Sequence, residues 1–374
     1  MEKRNDGKAG ALFLPKEVFM VEPTVRYPGI PLEFKRSPHG PQDDITIVAG
    51  DIGGTKTNLA VYHATSRGMD LVREQRFASR DYPSFEAIIR AFLSGAPSGT
   101  IDRICLGIAG PVLGGKVQTT NLAWTLDSGQ IAQETGIRDV GLINDLEATS
   151  YGLAGLQPAE LLPIHKPETP LPGCGAVLAP GTGLGEGGLF WTGKGYLPIP
   201  TEGGHSEFFP RSSMDVELYQ WLAAKFGVVS WERLISGPGL TNIYRFLREE
   251  LHMEEPAWLA PQVDREDAGA AITQNGLSGA APICQEALRH FVRFMAEEST
   301  SLVLKYKASG GLFLAGGIPP RLVSLISNPV LFRDHFLKCD RMEALLEQVP
   351  IQVVLNPRCA LMGAAYYGAY GMKG

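Results

Sequence analysis

Cysteine is scarce in this sequence of 374 residues, which contains only five. The two that lie nearest to each other along the chain, Cys339 and Cys359, are 20 residues apart, so there is no C-x-x-C pair of the kind found in zinc knuckles. The others are Cys105, Cys174 and Cys284, and this spacing does not suggest a disulfide framework either. We therefore expect reduced thiols in a cytoplasmic protein.

Clustered positive charge is also lacking, because 34 Lys and Arg stand against 40 Asp and Glu, for a formal net charge of -6 at pH 7. Nucleic-acid backbones are bound by clustered basic residues, so this composition argues against a nucleic-acid partner.

The apolar stretch at 11–14 is too short for a signal peptide. No stretch approaches the roughly 20 apolar residues of a membrane span, and we expect no membrane partner.

Glycine, by contrast, is abundant, with 44 residues, although 44% of the chain is hydrophobic and so not of disordered composition. The length suggests two domains. Residues 1–44 contain six prolines and no sustained apolar period, which predicts an extended N-terminal arm. From Ile45 onwards, short β-branched runs broken by glycine alternate with helical stretches, which is typical of an α/β fold.

The same order of elements is predicted twice, since a second glycine-rich strand region begins near Gly175. A helical block follows from 214 to about 308, and Gly310 is expected to end its last helix. The predicted strands lie at 45–49, 59–62, 104–108, 176–179, 187–191, 312–315 and 351–355, and further predicted helices at 84–93, 128–135 and 360–370.

The first glycine turn has the pattern D-x-G-G-T, formed by Asp51, Gly53, Gly54 and Thr55. Apolar strands flank it on both sides, so we expect a β-hairpin. Small turn residues let backbone N–H groups approach a phosphate, Thr55 adds a hydroxyl, and Asp51 is placed to hold Mg²⁺ through water. The alternative is a plain hairpin turn, which glycine also favours.

Two further glycine turns follow. Gly181, Thr182 and Gly183 lie between two predicted strands, and the G-x-G-x-x-G pattern that begins at Gly183 leads into a strand rather than the helix of a dinucleotide site. Gly316 and Gly317 leave a buried strand and enter a helix, which would also fit a simple tight junction. The succession of all three turns favours a phosphate-binding function.

Polar residues in the middle of the chain suit a sugar site. Asn144 and Asp145 follow a predicted strand at the start of a helix, where Asp could also be a simple cap. Glu202, His205 and Glu232 lie beside small residues, and carboxylates and imidazoles can hydrogen-bond sugar hydroxyls. His205 alone would more commonly be a structural histidine.

Taken in order, these motifs resemble the sugar-kinase and actin superfamily, and specifically the bacterial glucokinase family of the hexokinase-like type. The resemblance runs from about Ile45 to the end, and the motifs are D-I-G-G-T, I-N-D-L, P-G-T-G-L-G, E-G-G-H-x-E-F, E-R-L-I-S-G-P-G and L-A-G-G-I. It implies an α/β, two-lobed actin-like ATPase fold with a duplicated β/α unit and an interlobe cleft. The lobes would be 45–150 (small) and 151–374 (large), with the final helix packing back on the small lobe.

The resemblance implies an ATP:hexose 6-phosphotransferase that phosphorylates glucose at its 6-hydroxyl, with ATP and Mg²⁺ as cofactors. Asp145 would be the general base, and the sugar would be bound by Asn144, Asp145, Glu202, His205 and Glu232. The ATP-binding residues would be Asp51, Gly53, Gly54, Thr55, Gly181, Thr182, Gly183, Gly316 and Gly317.

Several alternatives remain open at this point. A kinase for another hexose, such as mannose, would share every motif, and a sugar sensor without catalysis is a second alternative. Relatives with a cysteine-ligated zinc beside the sugar-binding histidine are disfavoured, because the first cysteine after His205 is Cys284; we therefore expect no zinc site. A homodimer is one assembly that the sequence allows.

Overall fold

The structure is a computed structural model that describes residues 28–34, 44–65, 67–95, 101–119, 122, 124–264 and 267–372. The predicted arm at 1–44 therefore lies outside the described residues except for 28–34 and residue 44. The strands are β1 Ile45–Ile52, β2 Lys56–Thr65, β3 Gly68–Ala78, β4 Arg103–Ile108, β5 Lys116–Gln118, β6 Thr125–Asp127, β7 Asp139–Asn144, β8 Leu161–His165, β9 Gly175–Pro180, β10 Leu184–Trp191, β11 Tyr196–Pro200, β12 Gly311–Leu314 and β13 Ile351–Val354.

The α-helices of the described residues lie between and after these strands, and the largest group of them falls between β11 and β12. They are α1 Phe85–Ser94, α2 Ser128–Thr135, α3 Asp145–Gly152, α4 Ser213–Phe226, α5 Gly237–Glu249, α6 Ala260–Val263, α7 Ala268–Leu277, α8 Pro282–Tyr306, α9 Val323–Ile326, α10 Arg333–Leu337, α11 Glu343–Leu346 and α12 Cys359–Tyr366. In the described ranges, none of them combines the length and the apolar character that crossing a bilayer demands.

The two main sheets repeat one arrangement. The first has the strand order β3-β2-β1-β4-β7, in which β1, β2 and β3 pair antiparallel and β4 and β7 continue in parallel. The second has the order β11-β10-β9-β12-β13, with the same antiparallel and parallel pairings, and adds β8 at its edge. This duplication confirms the predicted α/β fold with a repeated β/α unit in two lobes.

The predicted glycine hairpins form between the antiparallel strands. β1 and β2 are joined by the D-x-G-G-T turn, with Ile52 paired to Thr57. β9 and β10 are joined by the P-G-T-G turn, with Pro180 paired to Leu184. Because the repeat places both turns at equivalent ends of the two sheets, they can serve the same ligand from opposite sides.

The helical block predicted at 214–308 is helical but consists of five α-helices, α4 to α8. The prediction that Gly310 ends the last of them is wrong. That helix ends at Tyr306, and Lys307 adopts a left-handed conformation with φ of 48° that caps it. Gly310 is needed for close packing instead, because a side chain there would collide with the carbonyl oxygen of Gly173.

The described part of the N-terminal arm packs across the middle of the molecule. Gly29 donates a hydrogen bond of 2.8 Å to the carbonyl of Ala154, just after α3. On the other side, Glu33 donates to the carbonyl of Tyr196 on β11 at 2.8 Å. Phe34 stacks on Tyr151 with ring centroids 5.4 Å apart. Residues 28–34 thus contact elements next to both sheets.

The C-terminal helix α12 returns to the first sheet. Leu361, Ala364 and Ala365 are buried in one cluster with Ile47 and Ala49 of β1. The final helix therefore packs on the lobe that the first half of the chain builds. The boundary between lobes at 150 and 151 stays a proposal, and it falls inside α3.

Candidate active site

Asp51 lies near the end of β1, beside the first glycine turn. Asn58 of β2 donates a hydrogen bond of 3.2 Å to Asp51 Oδ2, and Arg76 of β3 donates one of 3.0 Å to Asn58 Oδ1. Burial raises the pKa of the Asp51 carboxyl, while the Asn58 hydrogen bond and the Arg76 charge oppose that rise. This carboxylate is therefore fixed in direction and partly withdrawn from water.

The first turn is held from behind by a serine that sequence reasoning missed. Ser79 follows β3, and its Oγ donates to the carbonyl of Gly53 at 2.9 Å while its backbone N–H donates to the carbonyl of Thr55 at 3.0 Å. The Ser79 hydroxyl is also 3.0 Å from the Thr57 hydroxyl. No motif surrounds Ser79 in the sequence, so only the pairing of β3 with β2 reveals its role.

The second turn packs tightly against the residues that follow α4. Gly181 donates to the carbonyl of Gly183 at 2.8 Å, and the N–H of Gly237 donates to the carbonyl of Gly181 at 2.9 Å. A Cβ at Gly183 would lie 2.6 Å from Glu232 Oε2. Position 183 therefore has no room for a side chain while Glu232 keeps its place.

The third turn touches the second. Gly316 has φ of +81°, and a Cβ there would lie 2.5 Å from the carbonyl oxygen of Pro180. The N–H of Ile318 donates to the same carbonyl at 3.3 Å. Only glycine fits both the left-handed backbone and this approach, so the pattern marks a real junction between the two turns.

All three turns border one cavity of about 810 Å³. Of the predicted ATP-binding residues, Thr55, Gly181, Thr182 and Gly317 line it directly. The other predicted ATP-binding residues do not line the cavity, but each lies in, or just before, one of the three turns that border it. They are Asp51, Gly53, Gly54, Gly183 and Gly316. Thr55 comes from the first sheet and the rest from the second, so the cavity lies between the two halves.

Three arginines that sequence reasoning missed also line this cavity. Arg80 follows Ser79 on the side of the first sheet, Arg245 lies on α5, and Arg321 follows the third turn. Asp267 is the carboxylate that accompanies them in the lining. Guanidinium groups bind phosphate well, so the cavity suits a polyanion.

Asn144 and Asp145 lie at the junction of β7 and α3, as predicted. Asn144 is the helix cap, because its Oδ1 accepts from the N–H of Leu146 at 2.8 Å and of Glu147 at 3.4 Å. Its amide donates to the carbonyl of Gly110 at 3.2 Å. Since Asn144 fills the capping role, Asp145 is not needed for that purpose, although its Oδ1 also accepts from Leu146 at 2.9 Å.

The environment of Asp145 suits a proton acceptor. The pKa of its carboxyl is raised to about 6, mainly by burial and in part by the charges of Asp51 and Glu202, while the Leu146 hydrogen bond opposes the rise. These two charges come from β1 and from the loop after β11. The fold thus brings three predicted site carboxylates from separate parts of the chain into one electrostatic neighbourhood.

The two segments that carry the remaining predicted sugar residues both contact Leu184, the first residue of β10. Glu232 Oε2 accepts from the N–H of Leu184 at 3.0 Å. Gly204 packs so closely on the Leu184 carbonyl that a side chain there would collide with it. Glu202 and His205 lie on either side of Gly203 and Gly204, and the N–H of His205 donates to the Glu202 carbonyl at 3.1 Å. Their side chains are exposed and accessible to a ligand.

This arrangement can position an alcohol next to a polyphosphate. An ionised carboxylate, Asp145, lies at the end of one sheet, exposed hydrogen-bonding groups lie on the other, and an arginine-lined cavity lies between the glycine turns. Phosphoryl transfer depends mainly on positioning and charge neutralisation.

Comparison with known proteins is consistent with this geometry. The family model described as Glucokinase matches residues 48–370. A glucokinase from Nostoc punctiforme is 37% identical over 341 residues, which cover 86% of this chain and 98% of that protein. The crystal structure of a glucokinase from an Antarctic psychrotroph superposes with a TM-score of 0.73 at 28% identity, covering 86% of this chain and 98% of the other. A glucokinase from Balamuthia mandrillaris in complex with glucose shares the fold, with a TM-score of 0.69 at 23% identity, covering 88% and 95% of the two chains.

Proposed function

The chain belongs to the glucokinase family of ATP-dependent hexose kinases, and from that premise we propose that it phosphorylates glucose at the 6-hydroxyl. The products are glucose 6-phosphate and ADP. The observation that carries the proposal is that Asp51, at the start of the first of the three glycine turns that border the cavity, lies close enough to Asp145 for its charge to contribute to the raised pKa of that carboxyl.

In the proposed mechanism, the 6-hydroxyl oxygen attacks the γ-phosphorus of ATP, and the bond from that phosphorus to the bridging oxygen of ADP breaks. The hydroxyl proton passes to Asp145, which is mostly ionised at pH 7 because the pKa is about 6. Asn144 is held rigidly as the cap of α3 and orients the sugar beside this base. Glu202, His205 and Glu232 bind the ring hydroxyls.

ATP is proposed to occupy the arginine-lined cavity. Backbone N–H groups of the first two turns contact its phosphates, and the third turn lies toward the nucleoside. Arg80, Arg245 and Arg321 are additional candidates for contacts to phosphate or ribose. Because Thr55 and Thr182 approach the cavity from opposite sheets, a bound triphosphate would touch both lobes.

Mg²⁺ is proposed to accompany ATP near Asp51. The donor set fits this ion, since a carboxylate oriented by Asn58 is a hard oxygen ligand beside the phosphate turn. The ion would neutralise charge on the phosphates when bound. No zinc site is proposed, because the first cysteine after His205 in the sequence is Cys284.

The experiment that tests the proposal is ATP turnover, coupled to ADP detection, across a panel of hexoses that includes glucose and mannose. We expect glucose to give the highest kcat/KM. A higher value with mannose would support the alternative of a different hexose kinase. Binding of glucose without any ATP consumption would support the sugar sensor.

Three further assignments belong to the proposal. The division into lobes at 45–150 and 151–374 is supported by the two repeated sheets. A cytoplasmic location is supported by five cysteines that are all free thiols. A homodimer is tested by sedimentation at several protein concentrations, where a mass of one chain throughout would contradict it.

A further inference from the structure

Two glutamates are buried against each other beneath the loop that carries Glu202 and His205. Glu186 of β10 is 1% exposed and Glu298 of α8 is 0% exposed. Their carboxyl groups are within hydrogen-bonding reach of each other. Within the described part of the chain, Glu186 Oε1 and Glu298 Oε2 are buried without a hydrogen-bond donor. Two ionised carboxylates cannot satisfy each other, because neither has a proton to donate.

The charges around this pair do not balance two carboxylates. Lys305 Nζ lies 3.4 Å from Glu298 Oε1 and provides one positive charge. Burial raises the pKa of both carboxyls, and the charge of Glu298 raises the pKa of Glu186 further. The positive charge of Lys305 lowers the pKa of each and so opposes the rise. Like charges in contact in a buried site are unfavourable, so one proton held between the carboxyls gives the stable arrangement.

The pair connects directly to the proposed sugar-binding loop. The backbone carbonyl of Glu186 accepts from Thr201 Oγ1 at 2.7 Å, and Thr201 Oγ1 in turn accepts from the N–H of Gly203 at 3.0 Å. Gly203 lies directly over the carboxyl, since a Cβ there would be 2.5 Å from Glu186 Oε2. A movement of this carboxyl toward Gly203 would therefore push on the residue between Glu202 and Gly204.

The other groups that face the pair come from α8 and from the segment before α4. Burial raises the pKa of the Tyr306 hydroxyl at the end of α8, a hydrogen bond with Thr201 opposes that rise, and the charge of Glu186 adds to it. Ser301 of α8 hydrogen-bonds to Glu298, and the more remote charge of Arg211, before α4, also lowers the pKa of Glu298. The pair is thus enclosed by neutral hydroxyls and one nearby ammonium group.

We propose that Glu186 and Glu298 share one proton and that this shared proton positions the sugar-binding loop, making both glutamates positioning residues for the hexose. The inference rests on the proposed function. When the proton is lost, two negative charges face each other, and the Glu186 carboxylate moves away from Glu298. That movement displaces Gly203 and its neighbours Glu202 and His205. Sugar binding weakens as a result.

The test is the pH dependence of KM for glucose and of kcat between pH 6.5 and 9.5, at saturating ATP and Mg²⁺. In the unaltered protein, KM should rise roughly tenfold per pH unit above the pKa of the pair, with little change in kcat. Glu298→Gln supplies a permanent amide donor in place of the proton, so its KM should vary less than about twofold over that range. Glu186→Gln should behave in the same way.

Two other variants separate this role from a general structural one. Glu297→Gln alters the adjacent glutamate of α8, which is also buried but pairs with Arg293 at 3.1 Å, and it should keep the alkaline rise in KM. Lys305→Met removes the ammonium group that favours the ionised pair, and should move the rise to higher pH. Lys305 has a side chain that is 53% exposed, so this change leaves the core intact.

The possible failures are distinguishable. A KM that stays constant with pH in the unaltered protein, or rises equally in Glu298→Gln, would overturn the shared proton while leaving the kinase function intact. A KM that depends on K⁺ concentration in the unaltered protein, but not in Glu298→Gln, would overturn it in favour of a buried cation. The absence of glucose-dependent ATP consumption at pH 7 would instead contradict the proposed function, and then glucose titrations by fluorescence over the same pH range decide whether the loop responds.

Discussion

The carboxylate of Glu232 accepts a hydrogen bond of 3.0 Å from the backbone N–H of Leu184. Leu184 directly follows the second glycine turn, which is proposed to bind phosphate, whereas Glu232 is a proposed ligand of the sugar. The same carboxylate occupies the space that a side chain at Gly183 would need. One side chain therefore links the geometry of the phosphate turn to the geometry of the sugar site.

The first prediction concerns that link. Glu232→Ala removes a charge-assisted hydrogen bond worth about 1.5–3 kcal/mol, so KM for glucose should rise roughly 10- to 100-fold. KM for ATP should rise as well, because the second turn loses its anchor. Steady-state kinetics with each substrate varied in turn measure both. Glu217→Ala, at an exposed glutamate of α4, is the matched control. An effect on glucose alone would contradict the link.

The second prediction concerns the base. Asp145→Asn should lower kcat by on the order of 10²- to 10⁴-fold, since an amide cannot accept the hydroxyl proton. Glucose binding should survive because the amide still hydrogen-bonds a hydroxyl. Asp139→Asn, at the far end of β7, is the control and should retain turnover. If a folded Asp145→Asn protein kept a near-normal kcat, Asp145 would not be the base and would have only a structural role at the N-terminus of α3.

The third prediction is that the pH profile of kcat/KM for glucose has an acid limb, in which the value falls as the pH decreases. The pKa of Asp145 is raised to about 6, so the base is ionised above that pH and protonated below it. The kcat/KM for glucose should therefore fall roughly tenfold per pH unit below an apparent pKa near 6. Magnesium bound near Asp51 would oppose the contribution of the Asp51 charge and move this limb toward lower pH.

A charge substitution checks the sign of that effect. The negative charge of Glu202 raises the pKa of Asp145, so Glu202→Gln should move the acid limb to lower pH. Glu207→Gln, at an exposed glutamate in the same loop, serves as the control and should leave the limb in place. A shift toward higher pH in Glu202→Gln would show that the limb belongs to another group.

The sequence alone predicted the glycine turns well, because turn chemistry is local. The pattern around Gly53 required a hairpin rather than a strand-to-helix junction, and β1 and β2 confirm it. The same local reasoning placed Asn144 and Asp145 between β7 and α3. Their roles as ligands stay predictions.

Features that depend on distant contacts could not be predicted in this way. Ser79 and Arg80 reach the site only because β3 pairs with β2, and nothing near them in the chain shows that pairing. The sequence did not single out Glu186, because its burial depends on packing near Glu298 of α8, which lies far away along the chain. The helix end assigned to Gly310 was wrong because Lys307 accepts a left-handed backbone that glycine usually provides.

The fourth prediction concerns the N-terminal arm, whose described segment lies outside the match to the family model. Phe34→Ala removes a ring that stacks on Tyr151, and it should lower the free energy of unfolding by about 1–3 kcal/mol. Denaturant titration measures the change. Leu113→Ala, at a leucine that is 74% exposed, should cost little. Equal stability of the two variants would mean that 28–34 adds nothing to the fold.

The fifth prediction concerns closure of the cleft. Asp145 lies at the end of the first sheet, whereas Glu232 is attached to β10 of the second. A sugar bound by both makes more contacts when the lobes are closed, and this difference in affinity shifts the population toward closure. Closure would also exclude water, which could otherwise accept the γ-phosphoryl group.

Trp231 is well placed to report this motion. It is 2% exposed, packs edge-on against Phe208 at 5.0 Å, and donates its backbone N–H to the carbonyl of Ser206 at 3.0 Å, next to the sugar loop. Glucose without ATP should therefore change tryptophan fluorescence saturably. Trp231→Phe should remove much of that change without abolishing binding, whereas Trp258→Phe, at a tryptophan that is 48% exposed, should preserve it. Unaltered fluorescence together with superimposable small-angle scattering profiles, with and without saturating glucose, would show that the lobes do not close on the sugar.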